Sequence, residues 1–188
     1  MLLTPLNEIV GTAIVMACLF LCVGSLWAQT PEASLKAVFS LNFAKFTHWP
    51  EGEPAAPEDE LRVCMVGRSQ VASALSASEG EKVGRRRVSF DYIRLPGDVS
   101  GCHLLYVSEL DLDRERRLLA SLRRLPVITI SDLPGFAEAG GMVELVIVDR
   151  RLRFEINLAA VRAAGLRMEP KLLKLAIRLY GKQREGEE

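Results

Sequence analysis

The stretch from Ile9 to Trp27 (IVGTAIVMACLFLCVGSLW) carries no charged residue, and it closes on Ala28-Gln29 before the chain turns polar at Thr30-Pro31-Glu32. An apolar run at a chain start, ended by a small residue, reads as a secretory signal over residues 1–28 with the remainder exported. No other feature constrains the fold as much. The part that folds is then residues 29–188, and it folds in an oxidising compartment where cysteines are free to pair. The first segment, MLLTPLNEIV, departs from the usual pattern by holding Glu8 and no Lys or Arg. A start codon placed too early would account for this, since Met16 lies inside the run. The run is also long enough to span a bilayer, so an uncleaved N-terminal anchor is the alternative.

The roughly 160 residues that remain suit one domain with its own core. All 24 Lys and Arg lie beyond the leader while Glu8 leaves with it, so 23 acids remain and the exported charge is +1. That balance gives no electrostatic reason to expect nucleic acid or an anionic membrane surface as partner.

Four cysteines fall into two groups. Cys18 and Cys22 lie in the leader. Val15-Met16-Ala17-Cys18 has a faint likeness to a lipoprotein acceptor, but LFLCVGSLW follows it and would bury a lipidated terminus in apolar sequence. Cys64 and Cys102 form an even pair in an exported domain, which predicts a disulfide. Two buried free thiols are the alternative.

Along the exported part, Ala33–Thr47 reads as a helix. Leu35, Val38, Phe39, Phe43 and Phe46 recur at three- and four-residue steps and give it one apolar face, with Lys36 and Lys45 off it. His48-Trp49-Pro50 ends it, and EGEPAAPEDE (51–60) is a Pro- and acid-rich connector. Strands are predicted at Leu61–Val66, Arg86–Ile93, Cys102–Val107 and Val127–Ile130, with helices at Gln70–Ser78 and Asp111–Leu122. Met142–Val148 and Leu152–Ile156, separated by Asp149-Arg150-Arg151, must form an antiparallel hairpin. Asn157 caps a helix through Ala164 that stops at Gly165. Pro170 opens a last helix, Lys171–Tyr180. The order α-β-α-β-β-α-β-β-β-α-α predicts an α/β fold: a mainly parallel sheet with an antiparallel C-terminal hairpin and helices on both faces. The first and third strands are expected as neighbours, which would let Cys64 and Cys102 face each other.

The raw materials for catalysis are thin. The chain has only His48 and His103. His103 adjoins Cys102, but neighbours on one strand point to opposite faces, and both histidines read as structural. No Gly-x-Ser-x-Gly elbow, P-loop or GxGxxG turn occurs, and no metal-ligand spacing is present. Neither a catalytic residue nor a cofactor is expected. The turn Val66-Gly67-Arg68-Ser69-Gln70 follows a strand and precedes a helix, where backbone N–H groups can hold an anion. Arg68 and Arg85 add charge, so Gly67, Arg68 and Arg85 are weak candidates for an anionic or nucleotide-like ligand. A tight turn with solvated arginines is the plainer reading.

Leu35-Lys36-Ala37-Val38-Phe39-Ser40-Leu41-Asn42-Phe43-Ala44-Lys45-Phe46-Thr47-His48-Trp49-Pro50 resembles the opening motif of the YfiR family, a helix of the type KAxFxxNFxKFxxWP after a signal peptide. The resemblance continues in order through Leu61–Gly67, Cys102–Ser108, Ile130-Ser131-Asp132, Gly135-Phe136, Gly140-Gly141-Met142, Arg153–Leu158 and Lys171–Ala176. It implies a non-catalytic periplasmic inhibitor that docks on the periplasmic part of an inner-membrane diguanylate cyclase, lowering cyclic di-GMP and biofilm formation. Release in that family is linked to an outer-membrane lipoprotein and to redox state, its members form homodimers, and a disulfide supports the fold. Cys64 and Cys102 fall at matching positions, while a second cysteine pair of some members is absent here. Related domains also stand beside sensor kinases.

The expected docking surface is the segment from Phe154 to Leu173, with Phe154, Ile156, Leu166, Met168 and Leu172 as contacts. Leu166 and Met168 sit in the short Gly165–Pro170 link, where apolar side chains are harder to bury. The rival to the inhibitor is a periplasmic small-molecule sensor acting with a sensor histidine kinase.

Overall fold

In a computed structural model, residues 31–52, 57, 59–95 and 97–181 are described. The proposed signal or anchor, Cys18 and Cys22 lie outside the described residues. Among the described residues, no helix is long and apolar enough to cross a membrane.

The chain runs α1 (Pro31–Lys45), β1 (Thr47–His48), β2 (Glu60–Val66), α2 (Gln70–Ala77), β3 (Lys82–Val83), β4 (Arg86–Tyr92), β5 (Leu104–Val107), α3 (Leu112–Leu122) and β6 (Ile128–Ser131). It continues through β7 (Val143–Val148), β8 (Arg151–Asn157), α4 (Leu158–Ala163), β9 (Arg167–Met168), α5 (Pro170–Leu173) and β10 (Arg178–Tyr180). An eight-stranded sheet has the order β10-β8-β7-β6-β5-β2-β4-β3. The pairs β2/β4, β2/β5, β5/β6 and β6/β7 are parallel, and β7/β8 is the expected antiparallel hairpin. Asp149 and Arg150 turn that hairpin with φ of 49° and 60°, the left-handed pair that a two-residue loop needs.

Side chains alternate between the faces, as the period of a strand requires. Leu61, Val63, Met65, Leu104, Tyr106, Ile128 and Ile130 point into a large core under α1 and α2. Cys64, Val66, Leu105, Val107 and Val127 point into a smaller core under α3. Capping follows the sequence: Ser69 Oγ accepts from Val71 N at 3.1 Å, Asp111 Oδ1 from Arg114 N at 2.9 Å, and Asn157 Oδ1 from Ala160 N at 3.0 Å.

Three expectations are corrected. First, the buried face of α1 is Ala33, Ala37, Ser40, Leu41, Phe43 and Ala44, while Leu35 and Val38 are exposed. Small alanines let α1 pack closely on its neighbours, and that close approach, rather than the largest apolar side chains, selects the buried face. Second, the last helix stops at Leu173, and Arg178–Tyr180 form a parallel edge strand on β8. Ile177 N donates to Phe154 O at 3.0 Å and the Tyr180 hydroxyl to Glu155 Oε2 at 2.7 Å, so pairing with the open edge of β8 overrides helical propensity.

Third, Leu166 and Met168 of the Gly165–Pro170 link are not exposed, although Gly165, Arg167 and Pro170 are. Thr47-His48 pairs antiparallel with Arg167-Met168, which draws Leu166 and Met168 inward to 2% and 8% exposure. Phe154, Ile156 and Leu172 are buried in the same core. Phe154 meets Phe43 edge to face at 4.9 Å between ring centroids. These five side chains are packing residues and present no free surface.

Candidate functional site

Connections give the sheet a switch point. From β2 the chain crosses through α2 to β4 on one side, and then returns to β5 on the other side of β2. In open α/β sheets, ligands bind in the crevice at the carboxyl ends of the strands where this reversal occurs. Such a crevice is present, with a volume of about 530 Å3. The ends of β2 (Arg68, Ser69), β5 (Ser108, Glu109) and β6 (Asp132, Leu133) line it together with Glu32 and Lys36 of α1.

Gly67 makes the crevice possible. Its φ is +89°, and a Cβ there would overlap the Ser108 carbonyl, so only glycine lets the ends of β2 and β5 come together. Its carbonyl accepts from the Tyr92 hydroxyl. Glu109, on the wall, has a φ of +47°, a conformation that non-glycine residues adopt at a cost and that gathers at functional sites.

Lys36 is the polar centre of this end. Its ammonium lies 2.7 Å from both Glu32 Oε1 and Asp132 Oδ2. Burial alone would lower its pKa, but hydrogen bonds and charge from the two carboxylates outweigh that and raise it. Beneath them the Tyr106 hydroxyl is buried without a hydrogen-bond partner at bonding geometry. Burial first, and then the Asp132 charge, raise its pKa. The wall therefore holds both signs of charge: Lys36 and Arg68 against Glu32, Glu109 and Asp132. Mixed charge suits a small polar ligand carrying both signs better than a polyanion.

The proposed anion set is split by the fold. Gly67 and Arg68 follow the carboxyl end of β2, whereas Arg85 precedes the amino end of β4, where Arg87 pairs with Glu60. The parallel pairing puts Arg85 and Arg68 at opposite ends of the strands, about ten residues apart in register and so more than about 25 Å along them. At the Arg85 end, the Arg86 guanidinium lies 5.3 Å over the Trp49 ring, and Trp49 meets His103 edge to face at 5.4 Å. His103 is buried, and its Nδ1 accepts from Arg62 N at 3.0 Å. Burial, and then the Arg86 charge, lower its pKa to about 4, so it is a neutral structural residue. Cys64 and Cys102 are disulfide-bonded with Cα atoms 5.9 Å apart, beneath α3. Among the described residues no group of His, Cys, Asp and Glu could hold a metal ion.

Sequence reasoning missed Lys36, Tyr106, Glu109 and Asp132. The signal was present as a polar residue within two positions of the end of β2, β5 and β6, at Arg68, Ser108 and Asp132, which the sheet gathers at one end of its strands.

Residues 33–177 match the family model described as YfiR/HmsC-like. The chain belongs to the YfiR/HmsC-like family. YfiR/HmsC-like proteins are, as a family, periplasmic, non-catalytic regulators of a membrane diguanylate cyclase. The match spans both cores and the disulfide, so the resemblance read in the opening helix extends over the domain.

A solved structure described as the ABC domain in complex with L-Trp from Streptococcus pneumonia is similar at a TM-score of 0.50 and 9% sequence identity. It covers 77% of this chain and 60% of that chain. This chain thus corresponds to less than two thirds of that structure, and at such identity the likeness is one of fold.

Proposed function

We propose that this chain is a periplasmic negative regulator that binds and inhibits an inner-membrane diguanylate cyclase, lowering cyclic di-GMP and biofilm formation. In this reading residues 1–28 are a signal peptide and residues 29–188 act as a homodimer, released through an outer-membrane lipoprotein. The observation that carries it is the family match over residues 33–177. His103 commits Nδ1 to a backbone N–H deep in the core and is unsuited to activating a nucleophile.

A second reading has one specific observation in its favour, the crevice at the switch point with its Lys36–Asp132 pair. It makes the chain a periplasmic small-molecule sensor acting with a sensor histidine kinase.

One experiment separates the two. Deleting the gene is expected to raise cyclic di-GMP, and the exported form to restore it. Arg68→Ala and Asp132→Asn are expected to leave repression intact. Loss of repression in both variants, with protein level and fold unchanged, would favour the sensor. Unchanged cyclic di-GMP on deletion would sink the inhibitor.

A further inference from the structure

We infer that the groove between α3 and α4 is the surface on which the partner docks, and that it takes an acidic segment of the partner carrying an apolar anchor. The inference rests on the inhibitor reading above and replaces the Phe154–Leu173 surface, whose side chains are buried. The groove has a volume of about 340 Å3. Leu119 and Ala120 of α3 and Ala159 and Ala163 of α4 form its walls, and Thr129 and Met142 lie at its floor. Alanines along α4 leave room that a larger side chain would fill.

Charge identifies the occupant. Arg116 and Arg123 line the groove, two turns apart on one helix and so about 10 Å along its axis. Arg117 and Arg124 stand beside them. All four are exposed, and none forms an ion pair among the described residues. In a chain of formal net charge +0 this is a local concentration of positive charge. A run of arginines alone is a solvated face. Here two of the four, Arg116 and Arg123, rim an apolar depression, the pattern of an interface with an apolar centre and a charged rim. An acid-flanked apolar side chain satisfies both parts, and opposite charge on the rim speeds and orients the encounter. An anionic lipid surface would satisfy the arginines but leave the depression unused.

The test uses the full exported chain, oxidised, and the purified periplasmic part of the diguanylate cyclase whose output rises on deletion. Arg116→Glu/Arg123→Glu reverses the rim, Ala163→Trp fills the groove, and Lys82→Glu on β3 is a remote charge control. Both groove variants are expected to weaken binding about tenfold or more, with Lys82→Glu and all melting temperatures close to wild type. Wild-type binding that survives both groove variants overturns the groove and leaves the inhibitor standing. Absence of wild-type binding overturns both. Phosphatidylglycerol vesicles that bind wild type but not the charge-reversed variant, while Ala163→Trp still binds the cyclase normally, would overturn the groove in favour of a lipid surface.

Discussion

Under α1 and α2 the sheet is covered by apolar volume: Phe43, Leu61, Met65, Tyr106, Ile130 and Ile156 are buried there, and Phe43 and Phe39 both pack on Phe154. Under α3 the core is smaller, with Leu118, Leu119 and Leu122 set on Leu105 and Val107 beside the Cys64–Cys102 bond. That face also buries three carboxylates, Glu115, Glu144 and Glu155. Glu144 accepts from Gly135 N at 2.9 Å and Ala137 N at 3.1 Å. Glu115, buried beside it, has its pKa raised by burial and then by the Glu144 charge. One face is closed by packing and the other is stapled, which teaches where each tolerates change. The packed face has little room to yield to an unmatched group, while the stapled face can present a basic helix and an open groove because a covalent bond supplements its core.

The sharpest way to break this contrast is to place one charge on each face. Leu166→Asp puts a carboxylate into the large core and is expected to cost roughly 4 kcal/mol or more, enough to unfold a marginal domain. Leu112→Asp on α3, where the side chain is 67% exposed, is expected to stay within about 0.5 kcal/mol. Thermal denaturation of the two variants checks this. A folded, wild-type-like Leu166→Asp would mean that the Gly165–Pro170 link opens in solution.

Removing the staple comes next. Cys64→Ala/Cys102→Ala opens a loop with a sequence separation of 38 residues and is expected to cost about 2–4 kcal/mol. If the two faces are held as described, amide exchange in the variant rises in α3 first and in α1 and α2 last. Equal loss of protection on both sides would show that the cores melt as one and that the bond is not specific to the smaller one.

The sequence made the stapled face legible and left part of the packed face obscure. The Cys64–Cys102 bond followed from two cysteines in an exported domain, and α3 (Leu112–Leu122) matches the helix expected over Asp111–Leu122. The large core misled at both ends because tertiary contacts overrode local pattern. In α1, Leu35 and Val38 satisfy helical spacing yet face outward, since alanines allow the closer packing. At the other end KLLKLAIRLY has helical spacing, but its second half completes the edge of β8, a need that no window of the segment itself records. The crevice was half visible. Gly67 and Arg68 were found from a strand–turn–helix pattern, whereas Lys36 and Asp132 enter from α1 and β6 and meet only through the strand order. Arg85 was grouped with Arg68 by charge, and the parallel pairing of β2 with β4 separates them.

The smallest expected effect is one of pH, and it tests the joint between Trp49, Arg86 and His103 at the amino edge of the sheet. His103 is held neutral, its pKa lowered from 6.5 to about 4 by burial and then by Arg86. Protonation would put a hydrogen on Nδ1, where the ring now accepts from Arg62 N at 3.0 Å. Because the folded pKa lies below the unfolded one, the unfolded chain binds the proton first as pH falls. Stability from this residue is therefore complete above about pH 6.5 and declines between 6.5 and 4, by about 2 kcal/mol once partial solvation is allowed for. Denaturant unfolding at a series of pH values should show that slope, and His103→Gln should reduce it while keeping an acceptor for Arg62 N. If the slope is unchanged in His103→Gln, the acid sensitivity does not come from His103. Glu115 on the α3 face works in the opposite sense: its pKa is raised, so it becomes easier to bury as pH falls. A slope of opposite sign in the variant would expose that contribution, and so assign the two faces opposite responses to acid.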